Sequence, residues 1–322
     1  MGSIPPSGGH SYVHGRPPWP PGGRHYTSYL RLEEILKCQS LITDTHDEML
    51  FIMIHQISEL WIKLCLFELE SAQQNVMHDR LNVALKMMER AAAIQNQLIQ
   101  SWEVLATITP PEYAQMRQLS TASGGSGLQS VQYRLLEFLL GNKNPSILAT
   151  HERDPQAQAI LETALHRPGI YDEALKLLAR RGFAIPEAHL NRDVCQPYRA
   201  SPAVEDAWKS IYARYDEYWD LYVFAEKLVD LEYRVQLWRC HHLKTVARVI
   251  GFKPGSGGTT GVPYLARVMD QVFFSRAAVG SREALRWLAR ASWIFLKQCR
   301  SACRCGRGAV RPRMAGSACA ML

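Results

Sequence analysis

An all-α bundle is the fold class this 322-residue chain predicts, and three observations carry that reading. From about Tyr26 to Gly251 the apolar residues recur at helical spacing over long segments. No alternating apolar and polar run bounded by turn residues reads as a strand. One segment, residues 46–72, is apolar on almost every face (Met49, Leu50, Phe51, Ile54, Ile57, Leu60, Trp61, Leu64, Phe67), which is the pattern of a helix surrounded by other helices at the centre of a bundle.

Each element follows in order. Residues 1–25 hold six Pro and six Gly with polar fillers and no period, so a disordered arm is expected there. The central helix comes next, then a second long helix over 81–105. Thr109-Pro110-Pro111-Glu112 has the form of a capping box with Pro in the first turn, and it starts a third helix that carries Tyr113 and Arg117 one turn apart. Residues 123–127, Ser-Gly-Gly-Ser-Gly, make a flexible loop before a helix over 129–140. A polar, Pro-bearing stretch over 183–202 joins the two halves. The helical pattern then resumes over 203–250, with Gly251 positioned as the residue just past a helix end. There is no internal repeat. The resulting division is an arm (1–25), one helical domain (26–274) and a basic, Cys-rich tail (275–322).

With 47% apolar residues the chain can bury a large core. Its net charge of +7 suggests nucleic acid until the charge is located: residues 275–322 carry nine Arg and one Lys against Glu283 alone, which leaves the rest of the chain slightly acidic. No basic, aromatic-interleaved surface is then expected on the folded part, so no nucleic-acid partner is expected and a nucleic-acid-binding reading rests on the tail charge alone. The longest unbroken apolar run, 49–54, is far short of a membrane span, nothing near the N-terminus resembles a secretory signal, and Pro6 stands where myristoylation requires Ser or Thr. The eight cysteines lack paired metal spacing and suit a reduced compartment better than a disulfide framework. A soluble, cytoplasmic protein is expected.

Several residues are unusual for mere packing. Leu231, Val235, Trp238, His242, Val246 and Val249 step by four, three, four, four and three, so His242 lies on an apolar helix face and its imidazole is aimed inward. A neutral imidazole there needs a hydrogen-bond partner or a metal, and the stripe alone leaves both open. His55 interrupts the central apolar helix with Phe51 one turn before it. If Arg117 faces the interior, its charge needs an anionic partner, and a small ligand's carboxylate would serve through two parallel bonds. The run from Lys253 to Gly261 is too glycine-dense for an ordinary helix connection, yet it lacks the Gly-Lys-Ser/Thr of a phosphate-binding loop and follows a helix instead of a strand. It reads either as a flexible closure or as a loop whose N–H groups and hydroxyls approach a ligand. Together these pieces outline a haem pocket with an amino-acid-like ligand on its far side.

At those residues the sequence resembles the tryptophan 2,3-dioxygenase family. The motifs are Tyr26-x-x-Tyr29-Leu30, His46-Asp47-Glu48-Met49-Leu50-Phe51, His55-Gln56-x-x-Glu59-Leu60-Trp61-x-Lys63, Ser126-Gly127-Leu128-Gln129-Ser130 with Tyr133-Arg134, and His242-Leu243-Lys244-Thr245-Val246 leading into Gly255-Ser256-Gly257-Gly258. The resemblance implies an all-α, homotetrameric enzyme with one haem b per subunit that cleaves the indole C2–C3 bond of L-tryptophan with O2 to give N-formyl-L-kynurenine. It implies His242 as the axial ligand of the haem iron, Trp102, Ser126 and Gly127 around the haem, and His55 as the catalytic residue that orients the indole N–H. Phe51 would pack on the ring, Arg117 and Tyr113 would hold the carboxylate, and Ser256 the ammonium. The N-terminal helix, with Tyr26, Tyr29 and Leu30, would be exchanged between subunits to complete a neighbouring pocket.

The chain departs from the family pattern at Ser256, where Thr is usual; at His241, where Arg is usual; at Leu128, where Phe is usual; and in a loop before Ser126 that is two residues longer. From about Ser275 the Arg-, Ala- and Cys-rich run resembles a frame-shifted or truncated ending. A non-catalytic haem- or tryptophan-binding relic with a damaged C-terminus is therefore the competing expectation.

Overall fold

The computed structural model describes residues 25–122, 127–251, 253, 259–269 and 271–274; among them the chain is helical, with no strand. The sequence readings on residues 1–24, on Ser126 and Ser256, and on the tail fall outside these. Two single-turn helices, α1 (Tyr26–Tyr29) and α2 (Leu32–Ile35), are separated by Arg31 in a left-handed conformation, φ 52°. They precede α3 (Asp47–Met77) and α4 (Leu81–Leu105), a hairpin of long helices matching the two predicted ones. Then come α5 (Pro110–Ala122), α6 (Val131–Leu140), α7 (Pro155–Leu165), α8 (Ile170–Arg180), α9 (Glu187–Leu190), α10 (Pro202–Ala213), α11 (Trp219–Val249) and α12 (Val262–Met269).

The core forms where α4 lies between α3 and α11, with α6 and α8 against α3. Small residues at the contacts (Ala72, Ala84, Ala91, Ala92, Ala225) let the axes approach, and Leu69, Val76, Met88, Phe224, Leu228 and Leu231 fill the space between them. The buried Trp208 of α10 donates its indole N–H to the Tyr171 hydroxyl, 3.1 Å, so this large side chain enters the core with its polar atom satisfied.

Helix ends obey local chemistry. Ser130 accepts from Tyr133 N–H and starts α6, two residues later than expected, because Gly127–Gln129 forms a 3-10 turn. Gly251 takes φ 70° after α11, as its position predicted. The expected capping box at 109–112 is rearranged. Glu112 accepts from the N–H of Asp47 (2.8 Å), and Asp47 accepts from the N–H of Thr109 (2.9 Å), so the N-termini of α3 and α5 cap one another and are held side by side.

Two expectations need correction. The pattern over 203–250 is two helices, broken by a turn over 214–218, because the apolar stripes of α10 (Val204, Trp208, Ile211) and α11 (Leu221, Phe224, Leu228) both bury in one core and a straight helix would carry them apart. Nor is α3 enclosed on every side. Met49, Met53, Ile57, Leu60, Leu64 and Phe67 form an exposed stripe at four- and three-residue steps, Leu60 and Phe67 each being more than half exposed (55% and 56%), because no other helix among the described residues covers that face. By length and mean hydropathy α3 would also qualify as a membrane span. It packs on α4, α5, α6 and α8 along its other faces, which leaves that stripe exposed.

Candidate functional site

One wall of the site belongs to α3. His55 stands one turn after Phe51 on the same face, and its Nδ1 lies 2.7 Å from the Phe51 carbonyl oxygen. A carbonyl only accepts, so Nδ1 carries the proton and the lone pair of Nε2 is left to accept a hydrogen bond. The Phe51 ring lies 4.1 Å from the imidazole and 6.2 Å from the Tyr113 ring. His55 has open surface in the single chain, yet the protein around it desolvates the ring enough to lower its pKa, against the raising effects of the Phe51 carbonyl and of Glu59 one turn on. Glu59 is itself fixed by Gln132 of α6, whose amide donates to its carboxylate (2.8 Å) and to its carbonyl (3.1 Å).

The opposite wall is the C-terminal half of α11. His242 is half-buried, as its stripe predicted, with Trp102 of α4 stacked flat on its ring (4.7 Å, 12°) and Trp238 tilted against it at 5.5 Å. The two indoles meet edge-on at 5.4 Å, and Tyr133 of α6 lies 5.0 Å behind Trp238. Burial first, and the imidazole of His55 second, push the pKa of His242 down to about 4, so it is neutral at physiological pH with a lone pair to donate.

A single apolar cluster joins the walls: Leu105, Ile108 and Met116 at its centre, with Phe51, Trp102, Tyr113 and Val249 packed around. Beside it lies a cavity of about 530 Å³ lined by Tyr113, Arg117 and Gln118 of α5, Arg248 at the end of α11, and Lys253. Tyr113 and Arg117 therefore point the same way, as their spacing predicted. Desolvation raises the Tyr113 pKa and the Arg117 charge opposes that rise, so the phenol keeps its proton as a donor. Glu112 is engaged by Asp47, and the cavity lining named here is cationic without an acid. Such a lining suits an anionic group on a ligand of small-molecule size.

The structure thus brings Phe51, His55, Trp102, Tyr113, Arg117 and His242 together. It leaves Tyr26, Tyr29 and Leu30 exposed on the N-terminal segment. Gly127 opens an exposed turn where an added Cβ would meet nothing within 4 Å. Sequence reasoning missed Glu59, Gln132 and Arg248. The i, i+4 relation of Glu59 to His55 was a readable signal for the first. Gln132 reaches the site from another helix, and Arg248 is aimed by a bond from its Nε to the Ala106 carbonyl, 3.0 Å, which no local spacing encodes.

Comparison with known proteins adds a family. The family model described as tryptophan 2,3-dioxygenase matches residues 16–211 and 209–275. The chain is 53% identical over 249 residues to the tryptophan 2,3-dioxygenase of Erythrobacter litoralis (strain HTCC2594), covering 77% of this chain and 94% of that protein. It is 50% identical over 249 residues to the enzyme of the same name from Bacillus thuringiensis (strain Al Hakam), covering 77% of this chain and 88% of the relative. With that of Polaromonas sp. (strain JS666 / ATCC BAA-500) the identity is 52% over 249 residues, covering 77% and 84%.

Proposed function

The chain belongs to the tryptophan 2,3-dioxygenase family, and from that premise we infer that it is a haem-dependent dioxygenase that opens the indole C2–C3 bond of L-tryptophan with O2 to give N-formyl-L-kynurenine. The helical unit over 26–274 carries this activity.

The residues present fit a haem. His242 is neutral, flanked by flat aromatic rings and without a hydrogen bond among the described residues, and the indole N–H of Trp102 beside it is a buried donor with no partner there. No cluster of three or more His, Cys, Asp or Glu side chains among the described residues is arranged to hold a bare metal ion, which suits an iron that takes one ligand from the protein. Haem b, one per subunit, would be held by His242, with Trp102, Ser126 and Gly127 beside it. When bound, the haem supplies the activation of O2.

This chain's side chains position the other reactant. The Arg117 guanidinium and the Tyr113 hydroxyl hold the substrate carboxylate, Ser256 the ammonium, and Phe51 packs on the indole. His55 accepts the indole N–H at Nε2, the atom its bond to Phe51 leaves bare. An indole N–H is a very weak acid, so His55 orients the ring and need not take the proton.

The exposed stripe of α3 and the exposed Tyr26, Tyr29 and Leu30 support a homotetramer in which the N-terminal helix of one subunit completes the pocket of a neighbour. Among the described residues Cys38, Cys65 and Cys195 are thiols and not disulfides, which supports a cytoplasmic location. Neither nucleic acid nor a membrane enters this reading.

One observation carries the assignment: a neutral His242 stacks on Trp102, which shares an apolar cluster with Phe51 and Tyr113 beside a cationic cavity, and the His55 ring lies against Phe51. The test is the anaerobic absorbance spectrum of the reduced, haemin-reconstituted protein with and without L-tryptophan, together with product formation in air. Wild type should shift its Soret band on adding tryptophan and form product, and His242→Ala should lose the axial-ligand spectrum. An unchanged Soret band in His242→Ala would overturn the assignment.

A further inference from the structure

Just under one turn before His242 on α11, Arg239 is 3% exposed, and a guanidinium in that setting needs a reason. Its Nη2 donates to Glu137 of α6 (3.0 Å), a carboxylate also bound by the buried Arg134. Its Nη1 donates to the carbonyls of Val268 (3.0 Å) and Gln271 (3.3 Å), at and just past the end of α12, and the group lies 4.8 Å over the Phe273 ring. The Tyr133 hydroxyl lies within electrostatic reach of the same guanidinium, whose Nε has no hydrogen-bond partner among the described residues. A second tether to the same strap comes from Glu232, two turns earlier on α11, which accepts from Phe273 N–H at 2.6 Å. One cation therefore ties three pieces together: the helix of His242, α6, and a strap made of α12 and residues 271–274, whose Phe273 and Phe274 are buried.

Tyr133 makes this more than a structural bond. Its ring lies 5.0 Å from Trp238, and Trp238 lies 5.5 Å from His242 and 5.4 Å from Trp102, the ring stacked on that imidazole. A turn of the phenol would be passed on by contact, since packed aromatic rings have no slack to absorb it. We propose that Arg239 is a positioning residue for the His242 imidazole, acting through Tyr133 and Trp238 and holding that aromatic wall in register with α12 and residues 271–274. Lysine cannot replace it, because an ammonium lacks the planar fork that reaches Glu137 and the strap carbonyls together.

The proposal deepens the reading of His242 as a haem ligand, and its test separates the two. Arg239→Lys and Tyr133→Phe are made in the full chain, the second removing one hydroxyl from an otherwise intact ring. In haem-free protein labelled at histidine, the ring protons of His242 are read by NMR, assigned through His242→Gln; in reconstituted protein, the iron–histidine vibration and the rate of haem loss are read. Both variants should move the His242 resonance beyond its linewidth while leaving the His151 resonance and the far-ultraviolet dichroism unchanged. They should also shift the iron–histidine vibration and speed haem loss by roughly tenfold, as removal of an outer-shell partner does. A His242 resonance unmoved in Tyr133→Phe overturns the proposal whatever the haem does. A moved resonance in protein that binds no haem upholds it and overturns the haem reading instead.

Discussion

Replacing Glu232 with glutamine gives a stability change whose size and sign can be worked from the structure. Burial pushes the Glu232 carboxyl up to about 7, the N–H groups of Phe273 and Phe274 and the Arg239 charge pulling back only part of that rise from the ordinary 4.5. A raised acid favours its protonated form in the folded state. Its contribution is therefore fully present below the unfolded value and is lost as pH rises through about 7. At about 1.4 kcal/mol per pKa unit, keeping this group ionised costs the fold up to about 3 kcal/mol above neutrality. Glutamine retains an oxygen to accept the Phe273 N–H and has no charge to bury. Urea unfolding followed by circular dichroism at about pH 5 and about pH 8 is the assay. Wild type should lose about 2 to 3 kcal/mol between these conditions relative to Glu232→Gln, the variant being the more stable protein at the higher pH. A difference between the two proteins that is the same at both pH values would refute the reasoning.

Further expectations concern the site. Arg117→Lys should raise the apparent KM for L-tryptophan by about tenfold or more, since a lysine cannot grip a carboxylate through two parallel bonds, while haem content stays at wild-type level; an unchanged KM would remove Arg117 from the carboxylate site. His55→Ala should lower kcat/KM for tryptophan by roughly 5- to 10-fold, the worth of one neutral hydrogen bond, and affect 1-methyltryptophan far less, because that substrate has no N–H to offer Nε2. Equal losses on both substrates would assign His55 another role. Ser256→Thr should tighten tryptophan binding, because a β-branched residue holds its hydroxyl in fewer rotamers, and titration of the Soret shift gives the affinity. No change there would mean that Ser256 does not touch substrate.

How much of this was legible in the chain differs from one residue to the next. Spacing alone put His242 on an inward face, Phe51 one turn from His55 and Tyr113 one turn from Arg117, because side-chain direction in a helix repeats every 3.6 residues whatever lies around it. The extent of α4 follows from the same period and the start of α5 from Pro110 and Pro111, whereas α3 runs five residues past its expected end at 72. The capping box at 109–112 was misjudged for a physical reason: Glu112 is free to bond any nearby N–H, and tertiary packing brought Asp47 closer than its own helix start.

The pattern of apolar residues dictated on its own that this chain is a bundle of long helices and which faces carry its aromatic, imidazole and guanidinium groups, since periodicity is a property of each segment. It could not say that the indole of Trp102 lies flat on His242, that Arg239 would be buried off the apolar stripe in a fork of carbonyls and Glu137, or that one face of α3 would be left bare. Those features depend on which helix lies beside which and at what rotation, and contacts between side chains 100 or more residues apart exist only after the layers have packed.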